Sequence, residues 1–482
     1  MARRFEGLSE DWLAVVIGLV VFALALGPLA GADLLGWAAA PKTWIELGKA
    51  IQSVSADYVS LGVLVPPLLT FGFTLLLMLP AAAALGSDLR RFAVSFTAVF
   101  WLAYFCWIAG NWAYIAVTTP ADLEKFGILW SLKLTGESGY LIALLLGLVI
   151  ANFLPGLAGW LRDAARPELF IKIAIVILGG TLGIKAAEQI GLASSVMFRG
   201  LAAIIEAYLI YWAVVYWVAR RWFGFSREWA APLASGISIC GVSAAIATAA
   251  AIRARPIVAV MVSSLVVIFA MVELLILPFL AAAFLSHEPM VAAAWMGLAV
   301  KTDGAAVASG AITESLVLAN AAAQGVVYEK GWMLGATTTV KIFIDIFIGV
   351  WAFLLAFIWT RYIEPRKKGD ELRGAEIWER FPKFVLGFVA TFLVVFLIAL
   401  ASEALVKPLG AAMNEANVFR QLFFLLTFFS IGLLADLRKL WEEGIGRLAA
   451  VYVVCLFGFV IWVGLAISFI FFQGVHPPLA SG

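Results

Sequence analysis

Histidine, cysteine and charge are scarce in this sequence. The two histidines, His287 and His476, fall near the ends of apolar stretches, too few for a histidine metal site or a catalytic triad. Cys106, Cys240 and Cys455 lie inside apolar stretches at no metal-ligand spacing, and an odd count argues against a disulfide framework. Charged residues make up only 13% of the 482, with a net charge of +2. No basic run is interleaved with aromatics, so nucleic acid is not an expected partner. The sequence has no G-x-x-x-x-G-K-[ST] phosphate loop, no H-E-x-x-H and no G-x-S-x-G. ATP-driven transport within the chain is therefore not expected. Neither are enzymatic activity, a cofactor or a metal.

Apolar sequence dominates instead: 64% of the residues are hydrophobic and the mean hydropathy is +1.02. That composition belongs to an all-α polytopic membrane protein, with the lipid bilayer as its constant partner. Apolar windows predict about thirteen spans. They lie at 12–30, 61–85, 92–117, 138–158, 169–190, 198–220, 229–252, 256–285, 291–322, 332–361, 383–405, 418–435 and 446–473. Arg3 and Arg4 are followed by Glu6, Glu10 and Asp11, an unconvincing start for a cleavable signal. Segment 31–60 reads as a surface-lying amphipathic piece. Arginine and lysine concentrate in one set of alternate loops, including the connector 361–383. This predicts a bacterial inner-membrane protein with its N-terminus cytoplasmic and its C-terminus outside. Arg253 and Arg255 are exceptions; a re-entrant 229–252 would invert everything after it.

The stretch PLASGISICGVSAAIATAAAI, 232–252, interrupts its span with Gly236, Ser238, Cys240, Gly241 and Ser243. Glycine is costly inside a helix, and freed backbone groups survive in lipid only against protein or a wet cavity. The stretch is either a helix broken near mid-membrane, where carriers hold solute, or a small-residue packing seam. The segment IKIAIVILG at 171–179 recurs in outline as VKIFIDIFIG at 340–349. Two five-span blocks follow, 138–290 and 291–482, preceded by three extra spans in 1–137. An odd number of spans per block makes the repeat inverted. The fourth members would be 229–252 and 418–435, the latter carrying Thr427, Ser430 and Gly432. Both would be broken helices.

Charges inside spans must be paired, wet or functional. Lys301-Thr302-Asp303 precedes Gly304, and Lys341 and Asp345 are one turn apart. Lys301 could attract an anion while Asp303 tunes it or carries a proton, or the two could neutralise each other. Lys341 and Asp345 could form a plain intrahelical pair. Glu206 and Glu273 could each pair with a lysine from another helix or carry protons. Lys172, near a span end, is expected to snorkel.

Ser238-Ile239-Cys240-Gly241-Val242-Ser243-Ala244 resembles the S-I-C-G-x-S-A signature of the YeiH-like membrane proteins, a family described as sulfate exporters. Thr302-Asp303 stands where that family shows His-Asp, Lys341 where it has Val-Lys, and Leu434-Ala435-Asp436-Leu437-Arg438 is similar to its Thr-Asp-Leu-Arg ending. The resemblance covers roughly 138–470. It implies the superfamily of bile-acid/arsenite/riboflavin transporters and cation–proton antiporters. That brings two broken helices crossing at mid-membrane, a scaffold and a moving core domain, and often a homodimer. The missing histidine departs from the pattern and bears on proton coupling. The expected function is elevator-type secondary transport of a small anion such as sulfate, a sulfonate or a carboxylate. Its site would comprise Gly236, Ser238, Cys240, Gly241, Ser243, Lys301, Thr302, Asp303, Lys341, Thr427 and Ser430, with Asp303, Asp345 and Glu206 coupling H+ or Na+. The alternatives are a sodium- or proton-coupled cation antiporter using Asp303 and Asp345, and a membrane subunit of an ion-pumping enzyme complex.

Overall fold

The structure is a computed structural model that describes residues 9–117, 120–132, 136, 138–188, 190–363, 382–435 and 446–480. Most of the connector 361–383 and the Asp436-Leu437-Arg438 motif lie outside the described residues. The helices are α1 (Glu10–Ala25), α2 (Val65–Ala84), α3 (Leu89–Gly110), α4 (Ser138–Phe153), α5 (Pro167–Glu188) and α6 (Ile190–Arg221). Then come α7 (Arg227–Ser238), α8 (Val242–Ala251), α9 (Pro256–Phe284), α10 (Pro289–Ala299) and α11 (Asp303–Ala323). The chain continues with α12 (Trp332–Ile363), α13 (Phe384–Ala401), α14 (Glu403–Leu434) and α15 (Gly446–Phe472). Among the described residues, ten helices are long and apolar enough to cross a membrane. Segment 31–60 is built of short elements rather than one long helix. Its 39–41 and 51–53 pair as a small antiparallel hairpin between short turns.

The chain divides into two compact units that cut across the blocks 138–290 and 291–482. The first comprises Met1–Ala193, Ala319–Val327 and Lys383–Asp436. Within it α5 packs against α1, α13 and α14, and α4 against α14. Lipid offers no hydrophobic drive for helices to associate, so close backbone approach does the work. A Cβ on Gly432 would overlap the Leu144 carbonyl oxygen, and one on Gly147 the Phe429 carbonyl oxygen. The predicted break at 427–432 is absent: α14 is an uninterrupted helix of 32 residues. Thr427 Oγ1 donates back to the Phe423 carbonyl at 2.7 Å, so its hydroxyl stays within the helix ladder. Gly432 serves the α4 crossing. Lys172 does not snorkel either. It is buried, 2.9 Å from Asp11 and 3.8 Å from Glu168.

The second unit comprises Ser194–Leu318, Tyr328–Pro382 and Leu437–Gly482. Here 229–252 is neither a span nor a crossing broken helix. One interrupted helix would set Ser235 and Thr248 about 20 Å apart. Instead Thr248 Oγ1 donates to Ser235 Oγ at 2.7 Å. At the mouth, Arg255 Nε and Nη2 reach Glu228 at 3.0 and 3.1 Å. Helices α7 and α8 are thus the arms of a re-entrant hairpin whose ends share one face. The Arg255 guanidinium and backbone N–H hold the Glu228 carboxyl below its usual range.

A second hairpin is formed by α10 and α11, turning at Val300–Lys301–Thr302. Thr337 of α12 touches both arms. Its Oγ1 donates to the Ala293 carbonyl at 2.7 Å, and a Cβ on Gly310 would lie 2.7 Å from its Cβ. The C-terminal segment ties both ends together: Gly474 N–H donates to Glu288 and Glu329 N–H to the Pro478 carbonyl. The buried Glu314 carboxylate accepts the backbone N–H groups of Gly331 and Leu334, capping α12. Helix α9 spans 29 residues, roughly 43 Å, from the mouth of the first hairpin to that of the second. Helix α12 makes the return journey. It starts beside Glu314, and its Leu355 and Trp359 pack against Ala251 and Ile252. The two hairpins therefore enter from opposite ends of this unit.

Two outcomes check this architecture. Impermeant maleimide should label Ser226→Cys and Arg253→Cys from the same membrane face; labelling from opposite faces would restore the crossing helix. Gly432→Val should cost about 1–3 kcal/mol by overpacking, read as lost thermal stability.

Candidate functional site

The two hairpin tips meet. The first turns through Ile239, Cys240 and Gly241, where Ile239 has φ −105° and ψ −105° and Gly241 has φ +71°. Only glycine takes that left-handed backbone freely. A Cβ there would also lie 2.6 Å from Val266, 3.1 Å from Thr302 Cγ2 and 3.2 Å from the Lys301 carbonyl oxygen. Gly236 lies one turn back along α7 against Val262, Val266 and Ala245. It holds the arms together, which is a packing role.

The Lys341 ammonium closes the meeting point. It donates to the Ile239 carbonyl at 2.8 Å and the Lys301 carbonyl at 3.0 Å, and lies 3.8 Å from Asp303 Oδ1. Those carbonyls sit at the C-terminal ends of α7 and α10, the partially negative ends of both helices, where a cation is stabilised. Asp303 opens α11, the end that favours a carboxylate, and Thr302 Oγ1 caps it by accepting the Ala305 N–H at 3.1 Å. The threonine at the place of the family's histidine is thus a helix cap. Cys240, Asp303 and Asp345 bring one sulfur and two carboxylate oxygens within 4.8 Å of one another. Such a trio could hold a cation, and the ammonium beside it already supplies positive charge. Ser238 Oγ, fully buried at the end of α7, makes no hydrogen bond among the described residues. The side chain of Ser243 lies outside the described residues.

A second buried cluster surrounds the other lysine. The Lys301 ammonium donates to the Leu298 carbonyl and stands 4.4 Å over the Tyr211 ring. Its backbone N–H donates to Glu273 Oε2 at 3.1 Å. Glu206 completes the charged set, as an electrostatic neighbour of Lys301. The six charged groups of the two clusters are at most 3% exposed. They comprise two ammonium groups, Lys301 and Lys341, and four carboxyls, Glu206, Glu273, Asp303 and Asp345.

Sequence reasoning found both lysines, Asp303, Asp345, Glu206 and the first tip, all in this unit. It placed Thr427 and Ser430 in the site as well; both belong to the other unit, on continuous α14. Tyr211 and the re-entrant course of the second hairpin were not foreseen from the sequence, while Arg253 and Arg255 had raised the re-entrant alternative for the first.

A family model described as conserved hypothetical protein 698 matches residues 128–451. UPF0324 membrane protein NE0724 of Nitrosomonas europaea is 44% identical over 99% of both chains. An uncharacterized protein of Archaeoglobus fulgidus is 50% identical over 30% of this chain and 89% of its own. UPF0324 membrane protein RB9488 of Rhodopirellula baltica is 30% identical over 77% of this chain and 61% of its own. No solved structure matches.

Removing one partner of a buried ion pair typically costs about 3–5 kcal/mol. Lys341→Met should lose that much stability in thermal unfolding, and adding Asp303→Asn should restore part of it. Strictly additive losses would mean that the ammonium and carboxylate are not coupled.

Proposed function

We propose, for a chain that belongs to the family of UPF0324 membrane proteins, that it is a secondary active transporter whose cargo is a small anion such as sulfate, a sulfonate or a carboxylate. The observation that carries this reading is the meeting of two oppositely directed hairpin tips around buried charge. Irregular backbone within a bilayer persists where it is buried in protein or lines a cavity. Hairpins from opposite ends give each membrane face its own route to one point, as alternating access requires.

The preference for an anion follows from which helix ends are already occupied. Lys341 neutralises the carbonyl ends of α7 and α10, where a free cation would otherwise bind. Asp303 fills the N-terminal end of α11. The N-terminal end of α8 has no acidic residue in its first turn. That end, with Ser238 beside it, is the place for an anion.

The same reading gives the membrane layout and the cycle. With the N-terminus cytoplasmic, the first hairpin opens to the cytoplasm, which returns Arg253 and Arg255 to the positive side. The second opens outward, so the C-terminus still ends outside. The inverted repeat takes a permuted order: α4, α5, α6, first hairpin and α9 correspond to α13, α14, α15, second hairpin and α12. Two features support the pairing. Helices α6 and α15 each contain a π-helical turn, and α4 packs on α14 as α5 packs on α13. The hairpin-bearing unit is the carrier of an elevator-type cycle.

A second reading, cation antiport, draws on the Cys240, Asp303 and Asp345 trio. It requires Lys341 to leave the position that it holds. Proteoliposomes containing the full chain should exchange radiolabelled sulfate, and Gly241→Val should reduce the exchange by at least about tenfold. Sodium- or proton-driven cation flux with no response to any anion would replace the first reading with the second.

A further inference from the structure

We propose that Glu206, Glu273 and Lys301 form a proton-binding site separate from the Lys341 cluster, in which Glu206 carries the transported proton. This rests on the transporter reading and names its coupling ion. The groups come from three elements: Glu206 from α6, Glu273 from α9 and Lys301 from the second tip. The remaining titratable neighbours are Tyr211 on α6, Lys341 on α12 and Tyr452 on α15. Glu206, Glu273 and Lys301 are buried, so one base faces two acids where water cannot compensate the difference. One added proton makes the trio neutral.

Hydrogen-bond arithmetic places that proton. Tyr211 has a single hydroxyl hydrogen, and it is committed to the Val460 carbonyl at 2.8 Å. That carbonyl ends the π-helical turn Leu456–Val460, where the helix ladder is locally out of register. Trp295 takes the next carbonyl, Ile461, at 2.8 Å. Glu206 Oε1 and the Tyr211 hydroxyl face the same glycine, Gly464, whose added Cβ would lie 3.4 and 2.7 Å from them, and neither carboxyl oxygen of Glu206 receives a hydrogen bond among the described residues. With the tyrosine proton spent on Val460, the bond between Glu206 and Tyr211 forms only when Glu206 is the donor. Glu273 is differently engaged. Its Oε2 already accepts the Lys301 N–H, which suits the ionised partner of the ammonium.

Residue 301 links this site to the tip clamp. Its N–H is held by Glu273, its side chain lies over Tyr211, and its carbonyl accepts Lys341. When Glu206 releases its proton, a second carboxylate appears beside one ammonium. The Lys301 side chain is then drawn from Leu298, and the peptide that Lys341 grips is pulled with it. Proton release and loosening of the tip are one event. No bond other than O–H is made or broken.

Infrared difference spectroscopy of the purified full chain between acid and alkaline pH tests the site without transport. Wild type should show a buried carboxylic-acid C=O band that disappears in Glu206→Gln and persists in Glu273→Gln. Glu206→Gln reproduces the protonated shape and should unfold at the wild-type temperature. A band lost only in Glu273→Gln, or retained in both variants, overturns the proposal. In proteoliposomes, Glu206→Gln should lose sulfate accumulation driven by a pH gradient by at least about tenfold; equal accumulation also overturns it. If wild type moves no sulfate at all, the transporter reading fails, and the infrared result still decides the proton site.

Discussion

A single ammonium group sits where two helices from opposite ends of the unit run out of backbone partners. Lys341 holds the Ile239 and Lys301 carbonyls together and has Asp303 within ion-pair distance. Each hairpin turn frees carbonyl and amide groups that lipid cannot satisfy. A mobile cation or ordered water could serve the carbonyls, but a tethered ammonium does so without loss to the solvent. The tips can therefore turn at mid-unit. Gly241 can take its left-handed backbone, and the arms can be as short as ten residues.

The two lysines divide the work. Lys341 uses its side chain to hold backbone; Lys301 uses its backbone to be held, and its side chain faces carboxyls on neighbouring helices. The π-helical turns of α6 and α15 come together through Tyr211 and Val460, giving the second cluster a hydrogen-bond chain that a regular ladder would not leave available. The other unit is built differently. Its closest crossings are glycine against backbone, as at Gly147 and Gly432, and its buried Lys172 is balanced by Asp11 and Glu168.

Much of the fold was legible because lipid enforces a simple code. Apolar windows located nearly every long helix, and intramembrane charge located Lys301, Asp303, Lys341, Asp345 and Glu206. Small-residue interruptions are harder to read, because glycine and serine serve both breaks and packing. At 236–243 the interruption is a true turn, while the same composition at 427–432 lies within an uninterrupted helix. Hydropathy cannot separate the two, since both sit in apolar surroundings. The re-entrant course left one trace in the sequence, Arg253 and Arg255 as exceptions to the expected charge layout. Two hairpins of opposite direction cancel in the parity of crossings, so the expected side of the C-terminus is the same under either course.

The separation between Ile239 and Lys341 has a consequence for biogenesis. The two residues are 102 positions apart, and everything from α9 to Lys341 is made after the first hairpin. A ribosome feeding this chain into a membrane releases the hairpin before its clamp exists. Arms of twelve and ten residues are too short to cross a bilayer alone. The newborn segment must therefore wait at the interface, its turn hydrated, until α12 arrives. Its entry into the hydrocarbon is a late assembly step, set by the order of translation.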